Sequence, residues 1–428
     1  MRLGFDISDL YPHKAGVYTY AAQLLRHLSL ASARPDIVLL EGASVRRTAR
    51  DALAMGGLGD GELGDTPYAR VRALPVLRFI DGPWQRRYRS RRLAWGIDRH
   101  ALLPLWRWIY QTPALARRLV PRNMGRRLDV CHWSDSAFLR LPGVAHVMTV
   151  HDCIALRHPE WQPRDYVDAH VHKLRATARY ATRIIADSRS TRDDVVALLG
   201  VPPDRIDVIP LAAGLEFRPP ANRVAQQATL ARYGLRPDGY VLAVGTIEPR
   251  KNLVRLAAAF KAALDRHPEL PTRLVLAGGR GWLTTPIDAG LAALGLGDRL
   301  VLPGRVPQED LPALLHGARA IAYVSLYEGF GLPPLEAMAC GAAVVASNIS
   351  SIPEVVGDAA LLVDPYDVAD IAAALGRTLT DDTLRAGLAA RGLRRAQEFS
   401  WHRTAELTMR TYRRAIQDRD DARARGDA

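Results

Sequence analysis

Short apolar runs alternate with segments of helical spacing along most of the chain. In the C-terminal half, Tyr240-Val241-Leu242-Ala243-Val244 ends in Gly245 and suits a buried parallel strand. Asn252 is then predicted to N-cap a helix in which Leu253, Leu256, Ala257, Phe260 and Leu264 share one face. Strand-like runs follow at 273–278, 299–302, 320–324 and 343–346, with helices predicted over 310–318 and 333–340. Such alternation predicts a parallel sheet covered on both faces, with ligands beyond the strands' carboxyl ends.

The N-terminal half alternates less cleanly. Strands are expected at 3–7, 36–40, 129–132, 146–150 and 183–186, and helices at 17–28, 166–180 and 191–199. The proline-rich stretch from Pro202 to Pro220 is read as the hinge. Residues 400–417 predict a last helix, with Trp401, Leu407 and Tyr412 as packing residues, and the charged tail from Asp418 is expected to fray. The domains expected are 1–212, joined by the helix 400–417, then 213–399, then a charged tail 418–428.

At 428 residues the chain is long enough for two or three domains. No apolar run approaches the ~20 residues needed to span a bilayer, and the start, Met1 to Ile7, reads as a strand rather than a signal peptide. Cys131, Cys153 and Cys340 are far apart and fit reduced, buried thiols. These features predict a cytoplasmic protein. The net charge of +13 is carried mostly by arginine, with four lysines only: Lys14, Lys173, Lys251 and Lys261. That bias fits genome composition as well as any nucleic-acid partner, and none is expected.

The most informative stretch runs from Glu328 through Gly329-Phe330-Gly331-Leu332-Pro333-Pro334-Leu335 to Glu336. Two glycines let a ligand approach the backbone. Two prolines preset the first helical turn, where free amides suit a phosphate. The two carboxylates, eight residues apart, could accept from sugar hydroxyls. The plainer reading is an acid that stabilises a helix dipole. Arg250-Lys251, just before a predicted helix, would oppose that helix's dipole, which argues for an anionic ligand. In an arginine-rich chain, a lysine there also suggests a compact cation is needed. His151-Asp152 at a strand end reads either as a polar active-site pair or as a structural histidine bonded to backbone.

The Glu328–Glu336 stretch closely resembles the E-x7-E motif of retaining GT-B glycosyltransferases of family 4, the group 1 transferases, and looks most like mannosyltransferase-like bacterial members. Blocks at 245–253, 149–152, 186–188, 208–211 and 352–360 agree in order. The resemblance covers most of 145–400, and over 30–125 little is recognisable. It implies a GT-B fold, an α/β architecture of two doubly wound domains facing a cleft. It implies that Glu328 binds hydroxyls of the transferred sugar, with the Gly329, Phe330, Gly331 and Leu332 backbone at sugar and phosphate. Glu336 would accept from ribose. Arg250 and Lys251 would neutralise the diphosphate, beside Gly245. His151 would lie near the reacting sugar, and Gly16 would match the N-terminal phosphate loop. The donor implied is a nucleotide sugar, GDP-mannose above others. The acceptor would be a glycan or polyprenyl-linked molecule in bacterial surface-polysaccharide synthesis. No metal constellation stands out, so no cofactor is expected. Other enzymes of the same fold, an epimerase or hydrolase or a phosphorylase, are the alternatives, and a nucleic-acid-binding protein is a distant one.

Residues 84–127 hold twelve arginines, one acid (Asp98), and Trp84, Trp95, Trp106 and Trp108. Arginine with tryptophan suits an anionic membrane surface at the inner face, or a lipid-linked diphosphate. It also suits single-stranded nucleic acid or a basic insertion packed on the N-terminal domain.

Overall fold

A computed structural model describes residues 1–6, 15–31, 35–40, 128–133, 141 and 143–426. The basic segment 84–127 and Lys14 lie outside them. The first half reads β1 (Arg2–Asp6), α1 (Ala15–Leu30), β2 (Asp36–Leu40), β3 (Val130–Trp133), β4 (Ala145–Val150), α2 (Ile154–Arg157), α3 (Arg164–Tyr180), β5 (Arg183–Ala186), α4 (Arg189–Leu199) and β6 (Ile206–Val208). The second reads α5 (Arg223–Arg232), β7 (Tyr240–Val244), α6 (Leu253–Arg266), β8 (Arg273–Ala277), α7 (Thr285–Ala293), β9 (Leu300–Gly304), α8 (Leu311–Gly317), β10 (Ala320–Tyr323), α9 (Leu332–Ala339), β11 (Val344–Ser347), α10 (Ile352–Val356), β12 (Ala360–Val363), α11 (Val368–Thr380), α12 (Asp382–Ala396) and α13 (Trp401–Arg425).

The strands form two six-stranded parallel sheets, ordered β2-β1-β3-β4-β5-β6 and β12-β11-β10-β7-β8-β9. β3, β4, β5, β10 and β11 are buried along their whole length. That is why β10 and β11 read as nearly unbroken apolar runs: helices cover both faces of a parallel sheet. In the second sheet β7 lies between β10 and β8. The chain direction reverses there, and loops after β7 and β10 open the kind of crevice in which doubly wound sheets bind ligands. Gly245 and Glu328 follow those two strands.

Some elements escape the pattern. β6 lies inside the stretch read as a hinge, and β12 is four residues long. Asn252 precedes α6 but makes no side-chain cap. It adopts a left-handed conformation (φ 59°), and its Nδ2 donates to Val324 O at 3.0 Å and Pro365 O at 2.7 Å. It thus ties the β7–α6 turn to the end of β10.

The charged tail does not fray at Asp418, because α13 continues to Arg425. Arg183, almost fully buried on β5, donates to Asp418 at 2.7 Å, and Arg419 donates to Asp129 O at 2.7 Å. On its apolar face Trp401, Ala405, Met409, Tyr412 and Ala415 join the core of the first sheet. The Tyr412 hydroxyl lies 2.6 Å from His132 Nδ1, and His132 Nε2 lies 2.8 Å from Thr149 Oγ1. The chain therefore returns to its N-terminal half. Cys131, Cys153 and Cys340 are free and buried. Among the described residues no helix is long and apolar enough to cross a membrane.

Tyr412 has no exposed surface, and Arg413 is exposed. Tyr412→Ala should destabilise the protein by about 3–5 kcal/mol. Arg413→Ala should stay within about 0.5 kcal/mol. Denaturant unfolding of both variants checks this, and equal effects would show that α13 is not a core element.

Candidate active site

The loop after β7 turns at Gly245 with φ 146°. A Cβ on Gly278 would stand 1.8 Å from the Gly245 carbonyl oxygen, so the loops after β7 and β8 are pressed together. A short 3-10 turn, Pro249–Lys251, then carries two cations inward. Lys251 Nζ lies 2.6 Å from Glu328 Oε1 and donates to Tyr323 Oη at 2.7 Å. Arg250 Nη1 lies 2.5 Å from Glu328 Oε2, and its Nε lies 2.6 Å from Glu248 Oε1. The sequence suggested that these cations await an anionic ligand. Here two carboxylates of the same domain already meet them.

Burial alone would raise the Glu328 carboxyl, but Arg250 and Lys251 outweigh it and hold it at about 2. Glu328 is ionised across the working pH range. Burial pushes Lys251 below its ordinary value, and Arg250 adds to that push. Burial also raises Glu248, against the pull of Arg250 and Lys251.

The loop after Glu328 is built from close backbone contacts. A Cβ on Gly329 would stand 1.8 Å from the His151 carbonyl oxygen, so only glycine lets this loop meet the end of β4. Ser351 Oγ donates to the Glu328 and Phe330 carbonyls at 2.9 and 2.7 Å. Gly331, with φ 109°, precedes α9, whose first turn holds Leu332 and Pro333. The Phe330 side chain is not offered to the cleft. It is buried, edge-on to Phe399 at 6.0 Å. Glu336 is partly exposed on α9, where burial of its carboxyl and then Glu216 push it up to about 8.

Across the cleft, His151 follows β4. Its Nδ1 lies 2.6 Å from Asp187 Oδ2, and the Tyr20 ring stands edge-on at 4.8 Å. The acid that orients His151 is therefore Asp187, not Asp152. Asp152 instead accepts from the Ile154 amide at 3.0 Å, at the start of α2. Gly16 sits exposed in the first turn of α1, with open space where a Cβ would be. The loop before it lies outside the described residues.

The structure thus gathers Gly245, Arg250, Lys251 and Glu328 into one cluster, with the Gly329 backbone against His151. Sequence reasoning assigned no role to Glu248, Tyr323, Gly278 or Asp187. Glu248 and Asp187 stood inside blocks already singled out by resemblance, which was the one available signal. Among the described residues no group of three or more His, Cys, Asp or Glu could hold a metal ion.

Two family models match in order. That of glycosyltransferase family 4 covers residues 14–216, and that of the group 1 glycosyl transferases covers 231–395. The chain is 39% identical over 270 residues to an O-antigen chain mannosyltransferase B of Escherichia coli, covering 62% of this chain and 70% of that one. It is 33% identical over 296 residues to the serotype-specific mannosyltransferase WbdA of Escherichia coli, 65% of this chain but 34% of the relative; the chain spans about a third of that protein. Among solved structures, Anabaena HepE in complex with UDP and glucose superposes with a TM-score of 0.66 at 16% identity, covering 96% of this chain and 99% of that one. That likeness shows the fold, and the relatives show the family. The chain belongs to the group 1, family 4 glycosyltransferases, hexosyltransferases of the GT-B fold.

Proposed function

We propose that the chain transfers mannose from GDP-mannose, with retention of anomeric configuration and without a metal ion. The acceptor is a glycan or polyprenyl-linked molecule of a bacterial surface polysaccharide. The carrying observation is the buried Glu328 carboxylate held between Arg250 and Lys251 at the reversal point of the second sheet, with the next residue, Gly329, against the His151 backbone. The mannosyltransferases among the relatives support the choice of sugar.

In this reading Glu328, already ionised and oriented, accepts from hydroxyls of the transferred sugar. Arg250 engages Glu248 and Glu328 through Nε and Nη1. A guanidinium has five N–H donors, and we assign its remaining edge to the donor diphosphate. Lys251, with three donors on Nζ, shares itself between Glu328 and the phosphate oxygen that gains charge as the glycosidic bond breaks. Gly245 and the backbone from Gly329 to Leu332 give the donor close approach. Glu336 accepts from ribose. His151, fixed by Asp187, faces the reacting sugar from the acceptor side. The arginine- and tryptophan-rich residues 84–127 are assigned to an anionic membrane surface at the inner face, or to the lipid-linked end of the acceptor.

A nucleotide-sugar panel read by thermal shift, with EDTA present throughout, tests donor and metal independence together. A ligand that binds the native state raises its melting temperature. GDP-mannose should give the largest shift. A larger shift with UDP-glucose or ADP-glucose, or one that appears only after Mg²⁺ or Mn²⁺ is added, would overturn the assignment.

Lys251 and Glu336 should separate in steady-state kinetics. Only contacts that strengthen in the transition state raise the chemical rate. Lys251→Ala should lower kcat by ~10²–10³, the scale of one preorganised electrostatic group. Glu336→Gln should chiefly raise the donor KM. An effect of Lys251→Ala on KM alone would make it a ground-state anchor.

The raised Glu336 carboxyl adds a pH signature. An ionised carboxylate accepts a hydroxyl proton more strongly than a carboxylic acid. With a carboxyl near 8, most of the protein carries it protonated at pH 7. Donor affinity should therefore rise about tenfold between pH 7 and 9 as that proton is lost. The rise should vanish in Glu336→Gln. Isothermal titration at three pH values measures it, and a pH-independent affinity would remove Glu336 from the ribose site.

A further inference from the structure

The residues on either side of Glu328 are held by the other domain. Tyr327 is buried, and its hydroxyl donates to Asp194 Oδ2 on α4 at 2.7 Å while accepting from the Cys153 amide at 3.2 Å. On the far side, the Gly329 carbonyl accepts from Ser188 Oγ at 2.6 Å and Thr191 Oγ1 at 3.0 Å. Ser188 is also the N-cap of α4. The first amides of that helix, on Arg189 and Ser190, donate to the Glu354 carboxylate of the C-terminal domain at 2.9 and 2.7 Å. The start of α4 is thus clasped to the C-terminal domain from two directions.

Asp194 is the costly member of this set. It is 3% exposed, and a buried carboxyl group needs partners to be tolerated. It has two: Arg157 of its own domain and Tyr327 of the other. The Glu328 side chain is fixed within the C-terminal domain by Arg250 and Lys251, but its backbone is bracketed by contacts to the N-terminal domain. Parting the domains would remove these flanking contacts and leave only those made within its own domain, by Arg250 and Lys251 to the side chain and by Ser350 and Ser351 to the backbone, so the loop would lose part of its support.

We propose that α4 sets the position of Glu328 through the Tyr327–Asp194 hydrogen bond, which makes Tyr327 and Asp194 positioning residues for sugar transfer. The placement rests on the donor role assigned to Glu328 above. Closure of the cleft and readiness of the donor carboxylate are then one event. A loop misplaced by a fraction of an ångström weakens contacts made in the transition state more than those made in the ground state.

The test uses the full chain with Tyr327→Phe, Asp194→Ala, their combination, and Asp194→Asn. Two readouts are taken: amide hydrogen exchange of residues 325–331 without ligand, and kcat with donor KM using GDP-mannose. Tyr327→Phe and Asp194→Ala should each speed local exchange and lower kcat about tenfold, with KM within about twofold. The double variant should be no worse than Asp194→Ala, because Tyr327→Phe removes a bond that variant has already lost. Asp194→Asn should recover part of kcat, since its single carbonyl oxygen can still accept from Tyr327 while the contact with Arg157 is lost. Unchanged exchange or kcat, additive losses, or an asparagine variant as impaired as the alanine variant would each overturn the proposal. So would faster exchange spread over the whole domain with a lowered melting temperature, the mark of a stabilising contact only. No turnover of GDP-mannose by the unaltered protein would instead overturn the donor reading; the exchange arm then decides the placement, and kinetics move to whichever sugar nucleotide is turned over.

Discussion

The structure is organised around one carboxylate that cannot be left alone. Glu328 is buried, and a buried charge is tolerated only when paired and hydrogen-bonded. Its two oxygens take Lys251 and Arg250 separately, and Arg250 in turn takes Glu248. Two loops must converge for this: the one after β7, which contains the 3-10 turn, and the one after β10. The close contact of Gly278 with Gly245 and the Asn252 bridge to Val324 and Pro365 make that convergence possible. Removing one partner from such a cluster strands the others, so its geometry is a property of the whole crevice rather than of one side chain.

The sheet order explains why the crevice lies where it does. β7 and β10 are neighbours although two strands intervene in the chain, so the loops at their carboxyl ends leave in different directions. In the first sheet the order reverses between β1 and β3, and His151 and Asp187 follow β4 and β5, neighbours in both chain and sheet. The two sites then meet through backbone, where Gly329 presses against the His151 carbonyl. A side chain at 329 would hold the two halves apart at this point.

How far the sequence could be read follows from how far apart the interacting residues are. Glu328, Glu336, Arg250 and Lys251 sit in compact motifs with strong local signals, and buried strands such as β7, β8 and β10 announce themselves as apolar runs. The His151–Asp187 pair does not. It depends on β4 and β5 being neighbours in the register that pairs Val150 with Ala186, so that the next residues stand side by side. Nothing within either segment encodes that pairing. Asp152 was the adjacent acid and the natural choice, yet it serves the backbone of α2. Asn252 obeys a composition rule for helix starts, but a longer-range demand for its amide wins. The tail beyond Asp418 looked solvated because its partners, Arg183 and the Asp129 carbonyl, are more than two hundred residues away in the chain.

The return of α13 to the first sheet bears on the site as well as on stability. Tyr412, His132, Thr149 and Tyr20 form a continuous buried hydrogen-bonded chain, and the Tyr20 ring ends it edge-on to His151. Burial, with a further push from His151, lowers His132 to about 3, so the chain stays neutral at physiological pH. A neutral chain holds; it does not titrate. One imidazole nitrogen donates and the other accepts, which lets His132 link two hydroxyls without an unmet polar group. His151 is therefore braced by Asp187 on one side and by this chain on the other, both within its own domain. Glu328 is braced differently, by its own domain at side chain and backbone and by the facing domain at the neighbouring residues Tyr327 and Gly329. His151 is thus held wholly within its own half, whereas the residues on either side of Glu328 also lean on the facing one.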